Sequence, residues 1–325
     1  MRNMTYDVII IGGGPAACAA AVYVARKKLH TLLIAESFGG QSIVSDDIQN
    51  WIGDPHLSGF ELAKKLEQHV RAYPDEIEVK VSEKVTRVTD IECADGKRSC
   101  DFEVTTDQMM SYRGKAVIVA SGARRRPLGV PGEEKFNGKG VSYCSTCDAP
   151  LFRGKTVAVV GGGNAGVEAV VDLLAYSEKV YLFNRGNVLT ADLATQDDII
   201  GKAKVEILHN VEVLEIVGEQ FVTGIRIRQG EDKAERTVVV NGVFVEVGSV
   251  PNSEIVKDMV SFDRYGQIVI DAKHATTSHP GIFAAGDVTD DPYKQNNISA
   301  GDGVRAALAA YAYILNRKKV SPTAG

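Results

Sequence analysis

The sequence predicts an α/β protein of two three-layer, doubly wound domains, one inserted into the other. The first observation is a repeat. "YDVIIIGGGPAACAAAVYVARKK" begins at Tyr6 and "KTVAVVGGGNAGVEAVVDLLA" at Lys155. Each is an apolar run of strand length, then three glycines, then a segment with helical spacing. The second observation is length: 325 residues exceed one ordinary core, since domains average ~100–200 residues. The third is the segment "GIFAAGDVTDD" from Gly281, which returns to the pattern of a buried strand and glycine turn. Residues 1–123 and 251–325 are therefore read as one discontinuous domain, and 124–250 as the inserted one.

Composition narrows the function. Apolar residues are 44% and charged residues 24%, with a net charge of −5, which is ordinary for a globular protein and offers no footprint for nucleic acid. Arg124-Arg125-Arg126 is short and is read as a solvated turn rather than a phosphate contact. Val8 to Val24 is largely apolar, but Gly12-Gly13-Gly14-Pro15 interrupts it. No run reaches the ~18 apolar residues of a membrane span, and no signal-peptide cleavage pattern follows. The reading is a cytoplasmic, soluble protein. Five cysteines are too few for a disulfide-stapled scaffold.

Taken in order, Val8–Ile11 is a buried strand that delivers the chain to Gly12, Gly13 and Gly14. Glycine lets the backbone approach a pyrophosphate, and the helix opening at Pro15 and Ala16 aims its N-terminus at the anion. The next strand, Thr31 to Ala35, ends at Glu36, about twenty residues past Gly14, where a carboxylate accepts from ribose hydroxyls. Phe60 to Ala72 reads as an amphipathic helix. Short strands are expected near Glu78–Val88 and Ser99–Thr105, and a buried one within Lys115–Pro127. In the second copy Gly161, Gly163, Asn164, Ala165 and Gly166 repeat the turn, and Val180–Phe183 ends at Asn184 and Arg185 with no carboxylate. Strand-like stretches follow at Val205–Ile207 and Gly224–Arg228. The last helix is expected from about Ala300 to Leu315, beginning near Ser299.

Further motifs, in order, are FGGQ at Phe38, QNW at Gln49, ASGA at Ala120, CSTCDAPLF at Cys144, VGSVPN at Val247, AAGD at Ala284 and PYKQ at Pro292. With the two glycine turns, these resemble the low-molecular-weight thioredoxin reductases over nearly the whole chain. The resemblance extends to the flavin-binding part of the alkyl hydroperoxide reductase flavoproteins. It implies two Rossmann-like domains, FAD in the outer one, a nicotinamide nucleotide in the inserted one, and a homodimer. It implies FAD contacts from Gly40, Gln41, Asn50, Ala120, Gly122, Gly286, Asp287, Lys294, Gln295 and Asn296, beside Gly12, Gly14, Pro15, Ala16 and Glu36. The last helix would aim its positive end at the pyrimidine half of the flavin.

Departures are informative. Those relatives carry several arginines after the second-domain strand when they use NADPH, or a Glu when they use NADH. Here the stretch is Asn184-Arg185-Gly186, with Thr190 further on. A lone Arg is a weak phosphate clamp, so the reading favours NADH over NADPH. Ala149 replaces a usual Gly after the cysteine motif, and Asn296 and Asn297 replace more apolar residues. The chain opens directly at the first strand, without the thioredoxin-like modules of the hydroperoxide-reductase flavoprotein, so electrons are expected to leave to a separate protein.

Cys144 and Cys147 could be half a metal site, a structural disulfide or a redox pair. Zinc wants about four ligands, and neither Cys93 and Cys100 nor the six histidines complete a set, so no metal is expected. A reducing compartment disfavours an inert disulfide. With a flavin implied, a redox pair is the reading. NAD(P)H would reduce the flavin, and the flavin would reduce the disulfide. By resemblance Cys147 faces the flavin and Cys144 attacks the acceptor's disulfide. Asp148, beside the pair, is the candidate general acid, or else a turn residue. The resemblance also implies rotation of the inserted domain about hinges near Arg124–Gly129 and Gly248–Pro251. Cys18 is read as a buried apolar residue, and Cys93 and Cys100 as incidental thiols.

The expected function is a flavin-dependent disulfide reductase acting on a thioredoxin-like or glutaredoxin-like protein. One alternative is an NADH-dependent electron donor to a peroxiredoxin system through a separate carrier. Another is a flavoprotein that nicotinamide nucleotides do not reduce. Neither nucleic acid nor membrane is expected as a partner.

Overall fold

A computed structural model describes residues 5–45, 47–91, 101–230 and 234–320. Cys93 and Cys100 lie outside them. The chain divides into two compact units. One comprises Met1–Ser45, Trp51–Arg124 and Val250–Gly325; the other comprises Arg125–Ser249 with Asp46–Asn50.

In the first unit, five parallel strands run in the order Ile282–Ala284, Val117–Val119, Val8–Ile11, Thr31–Ala35, Ile77–Val81. Such strands are buried on both faces, which is why they read as unbroken apolar runs. Successive side chains of Val8–Ile11 point to opposite faces. Val8 and Ile10 pack with the helices Pro15–Arg26 and Asn296–Val320. Ile9 and Ile11 pack with Val85, Val88, Phe102 and Val104, which belong to a smaller sheet of Thr5–Tyr6, Ser111–Gly114, Asp101–Thr106 and Val85–Ile91. The helix Gly59–Arg71 begins with a capping box, in which Ser58 and Glu61 satisfy each other's backbone groups.

The second unit repeats this plan. Its parallel strands run Val141–Ser142, Gly242–Val245, Thr156–Val160, Lys179–Phe183, Val205–Leu208. Val157 and Val159 pack against Val167, Val170 and Leu173 of the helix Asn164–Leu174. Ala158 and Val160 pack against Ile216, Ile225, Ile227 and Val238. The latter come from an antiparallel sheet, Val211–Gly218, Val222–Gln229 and Ala234–Val239. The sequence shows only its middle strand. Its outer strands alternate charge with apolar residues too irregularly to read, and Arg226 and Arg228 lace them together through Glu212, Glu215 and Glu235.

Two elements differ from expectation. The region Glu78–Val88 is two strands, Ile77–Val81 and Val85–Ile91, that join different sheets. The last helix starts at Asn296, not near Ser299, and runs to Val320. Asn296 and Asn297 thus form its first turn, a place where short polar side chains serve backbone and loop hydrogen bonds. No helix among the described residues is long and apolar enough to cross a membrane.

Candidate active site

In the first unit the central strand Val8–Ile11 ends at Gly12, whose φ of +128° only glycine adopts readily. A Cβ there would also lie 2.2 Å from the Ala120 carbonyl oxygen. The turn thus sits where the sheet's strand order reverses, the usual place for a ligand in such sheets. Gly14 is the extended residue before the helix, and Pro15 takes its first turn, where a missing N–H costs nothing. The Gly40 backbone faces Gly14, so that a Cβ on Gly40 would come within 3.3 Å of the Gly14 Cα. Gly122 has open space around it. Ala16 packs beneath Gly286.

Asp287 follows Gly286 and is held at both oxygens, by Gln41 Nε2 at 3.2 Å and by Ser299 Oγ at 3.2 Å. Lys294 donates to the Thr289 carbonyl at 2.6 Å, and its partial burial lowers its pKa. Gln295 accepts the Ser299 N–H at 2.8 Å. Asn296 accepts from Ser42 Oγ at 2.9 Å, and Asn297 from the Ile52 N–H at 3.4 Å. Glu36 ends its strand exposed and paired with Lys84 at 3.2 Å. Asn50 falls in the segment grouped with the second unit. These residues fit a dinucleotide such as FAD: a side-chain-free turn against the N-terminus of a twelve-residue helix, a carboxylate at the ribose end, and a pinned Asp at the far end.

The second unit has the matching turn. Gly161 has φ +136°, and its Cβ would lie 2.2 Å from the Glu246 carbonyl oxygen. Gly163 precedes the helix, which begins at Asn164 and Ala165, both exposed. Asn164 and Asp192 bind each other twice, through Nδ2 at 2.9 Å and Oδ1 at 2.8 Å. Gly166 is buried against Gly161. Asn184 is turned inward and buried. Its Nδ2 reaches the carbonyls of Gly186 at 3.0 Å and Val188 at 2.8 Å, and lies 3.2 Å from His209 Nδ1. Arg185, next in line, is exposed. The turn fits a nicotinamide nucleotide at its pyrophosphate, while the strand end offers one outward cation.

Cys144 and Cys147 form a disulfide with Cα atoms 5.3 Å apart. They bracket the start of the short helix Ser145–Asp148, where Cys144 takes the N-cap and its Sγ accepts the Cys147 N–H at 3.2 Å. Asp148 accepts from Ser142 Oγ at 2.6 Å, and Ser142 Oγ accepts the Cys144 N–H at 3.1 Å. The candidate acid is therefore wired to the cysteine backbone through Ser142. Ala149 has φ −51°, so a side chain sits there without strain. Three groups beside the pair do not stand out in the sequence. Asp172, on Asn164–Leu174, accepts from Ser145 Oγ at 2.8 Å and Thr146 Oγ1 at 3.1 Å. Glu246 follows Gly242–Val245, and burial pushes its carboxyl up to about 8 against the pull of Arg125 and the Ser145 backbone. Ser142 is the third. The one available signal was a lone Asp in the otherwise apolar run "AVVDLL".

Elsewhere, Cys18 is buried with its Sγ 3.5 Å from the Gly13 carbonyl, and burial pushes its thiol up to about 12. Arg124 binds Asn252 and Glu254, and Arg125 lies over the Tyr143 ring. Among the described residues, no group of three or more His, Cys, Asp or Glu is placed to hold a metal ion.

Residues 6–311 match the pyridine nucleotide-disulphide oxidoreductase family. The chain is 41% identical over 310 residues to a Bacillus subtilis protein named NADH dehydrogenase, and 42% identical over 310 residues to the F component of alkyl hydroperoxide reductase of Staphylococcus aureus. Each match covers 95% of this chain and 59% of the relative, so the chain spans about three-fifths of the length of these curated relatives. Among solved structures, thioredoxin reductase from Streptococcus pyogenes superposes with a TM-score of 0.86 at 36% identity, covering 97% of this chain and 99% of the other. Thioredoxin reductase from Giardia duodenalis gives 0.85 at 29% identity, covering 96% and 99%. With two repeated glycine turns and a Cys-x-x-Cys disulfide in the unit that carries the second, the chain belongs to the pyridine nucleotide-disulphide oxidoreductase family and has the thioredoxin reductase fold.

Proposed function

We propose that the protein is an FAD-dependent NAD(P)H:disulfide oxidoreductase that delivers electrons through Cys144–Cys147 to a thioredoxin-like or glutaredoxin-like protein. The observation that carries this is the disulfide on the short helix Ser145–Asp148, in a chain with two dinucleotide turns. Gly12, Gly14, Pro15, Ala16, Glu36, Gly40, Gln41, Gly122, Gly286 and Asp287 would hold FAD, and Gly161, Gly163 and Gly166 the nicotinamide nucleotide. Bound FAD supplies two-electron transfer between the nucleotide and the disulfide.

The chain's own part follows from thiol chemistry. Two electrons and two protons open the S–S bond to two thiols. Asp148, held by Ser142, is positioned beside the pair to give or take one of those protons. Cys144 as thiolate attacks the acceptor's disulfide and forms a mixed disulfide. Cys147 then attacks Cys144, the internal disulfide reforms, and the acceptor leaves as a dithiol. The two-residue spacing keeps the second thiol within reach throughout.

NADH is the preferred donor in this reading. Arg185 stands alone at the strand end, whereas a 2′-phosphate wants several cations, and one relative is named NADH dehydrogenase. The relatives named as the F component of alkyl hydroperoxide reductase support a second reading, supply of electrons to a peroxide-reducing system through a carrier. Anaerobic titration of the yellow protein with NADH and with NADPH tests the proposal. Bleaching by NADH at lower concentration supports it, and bleaching by neither overturns it. Cys147→Ser should keep nicotinamide-driven bleaching and lose disulfide reduction.

A further inference from the structure

We propose that Asp172 is a positioning residue that makes the Cys144–Cys147 dithiol a stronger reductant by withholding hydrogen-bond donors from its sulfurs. This rests on the reading that the pair cycles between disulfide and dithiol.

The turn between the cysteines carries two side-chain donors, the Ser145 hydroxyl and the Thr146 hydroxyl. In many Cys-x-x-Cys turns such groups stabilise a thiolate and lower its pKa. Here both are committed elsewhere, donating to Asp172 Oδ2 at 2.8 and 3.1 Å. The Cys147 N–H points to the Cys144 sulfur, at 3.2 Å. Asp172 also places a negative charge one side chain from the pair, which disfavours a second one on sulfur.

Burial holds the proton of nearby Glu246, with Asp172 and Glu168 of the neighbouring helix disfavouring its charge and Arg125 favouring it. A dithiol whose thiolate is poorly stabilised releases its electrons more readily, because the disulfide form has no such charge to lose. Such a bias suits a pair that must pass electrons on rather than collect them. Asp172 lies on the helix that follows Gly161, so the redox turn is fastened to the nucleotide-binding helix itself.

The test uses the flavin-loaded protein equilibrated anaerobically with glutathione buffers at pH 7, acid-quenched and alkylated, with the Cys144–Cys147 thiols read by peptide mass. Asp172→Ala, which removes the acceptor and frees both hydroxyls, should ease reduction of the pair about tenfold, or about 30 mV, and Cys144 should alkylate faster at pH 7. Asp172→Glu, which keeps the carboxylate, should stay within about threefold of wild type. Ser145→Ala with Thr146→Val removes hydroxyls that Asp172 already keeps from the sulfurs, so this double variant should be no easier to reduce than wild type. Asp197→Ala, an exposed carboxylate removed elsewhere in the same unit, controls for net charge. An Asp172→Ala equilibrium indistinguishable from that of Asp197→Ala overturns the inference, as does easier reduction of Asp172→Glu matching Asp172→Ala; where Asp172→Ala does not fold, easier reduction of the double variant still overturns it. A wild-type pair that never opens in these buffers would instead sink the proposed function.

Discussion

The two glycine turns share a backbone and differ in what surrounds it. In both, a central strand enters a glycine with φ near +130° that touches the carbonyl ending the neighbouring strand: Ala120 for Gly12, Glu246 for Gly161. The first turn has Ala120 there, buried and inert. The second has Glu246, a carboxyl that reaches the redox turn. The ribose ends diverge as well. Glu36 points outward and Asn184 points inward. The two turns thus share the bare backbone that a pyrophosphate would need and differ at the flanking positions. One turn reads as a plain cradle. The other combines a cradle with the support for a disulfide.

The largest expected effect comes from the shared glycine. Gly12→Ala puts a methyl into the Ala120 carbonyl at a left-handed φ, and should yield colourless protein with no retained FAD. Gly161→Ala makes the equivalent clash in the other unit. It should stay yellow but lose reduction by either nicotinamide nucleotide by about a hundredfold or more, followed by flavin absorbance. Equal loss of flavin in both variants would break the claim that the turns serve different nucleotides.

Asn184→Asp comes next. It replaces a buried donor by a carboxylate facing the carbonyls of Gly186 and Val188. Leaving such groups unpaired costs ~1–3 kcal/mol, so thermal unfolding of the variant should fall by several degrees. A variant as stable as wild type, with tighter NADH binding, would show that the position turns outward to the ribose.

Glu246→Gln sharpens the contrast with Ala120 through pH. The folded protein keeps the Glu246 proton up to about 8, whereas the ordinary value is 4.5. Between these values the folded state binds more protons than the unfolded chain, so stability falls as pH rises. Gln removes that slope. Its Tm relative to wild type should rise between about pH 5 and pH 8, by an amount corresponding to at most about 3–4 kcal/mol in stability. A Tm difference independent of pH would mean the carboxyl titrates normally.

The smallest effect is at Glu36. Its pair with Lys84 is exposed on both sides, and such pairs contribute ~0–1 kcal/mol. Glu36→Gln should leave the Tm within a degree or two while raising FAD loss during dialysis a few-fold.

Much of the fold was legible because its signals are local. A buried parallel strand must be apolar throughout, and a turn with φ near +130° must be glycine, so Val8–Gly14 and Thr156–Gly163 announce themselves. The antiparallel strands Val211–Gly218 and Ala234–Val239 did not. Ala234–Val239 is exposed everywhere but Val238, Val211–Gly218 is mostly half-buried, and cross-strand pairs such as Arg228 with Glu212 and Glu235 join residues with no common period. The start of the last helix at Asn296 was missed because asparagine there reads equally as loop.

The sequence by itself determined the α/β class, the duplication of the glycine turn and the redox pair, since each depends on residues a few positions apart. Tertiary structure decided which groups gather around that pair. Asp172 lies 25 or more residues from the cysteines and Glu246 about a hundred. The parallel order of Val141–Ser142, Gly242–Val245 and Thr156–Val160, with the helix after Gly161, brings Asp172 onto Ser145 and Thr146. Asn184 likewise faces inward because carbonyls across a turn require a donor. A side chain's direction is settled by the partners that the folded chain supplies, which the linear order of residues does not contain.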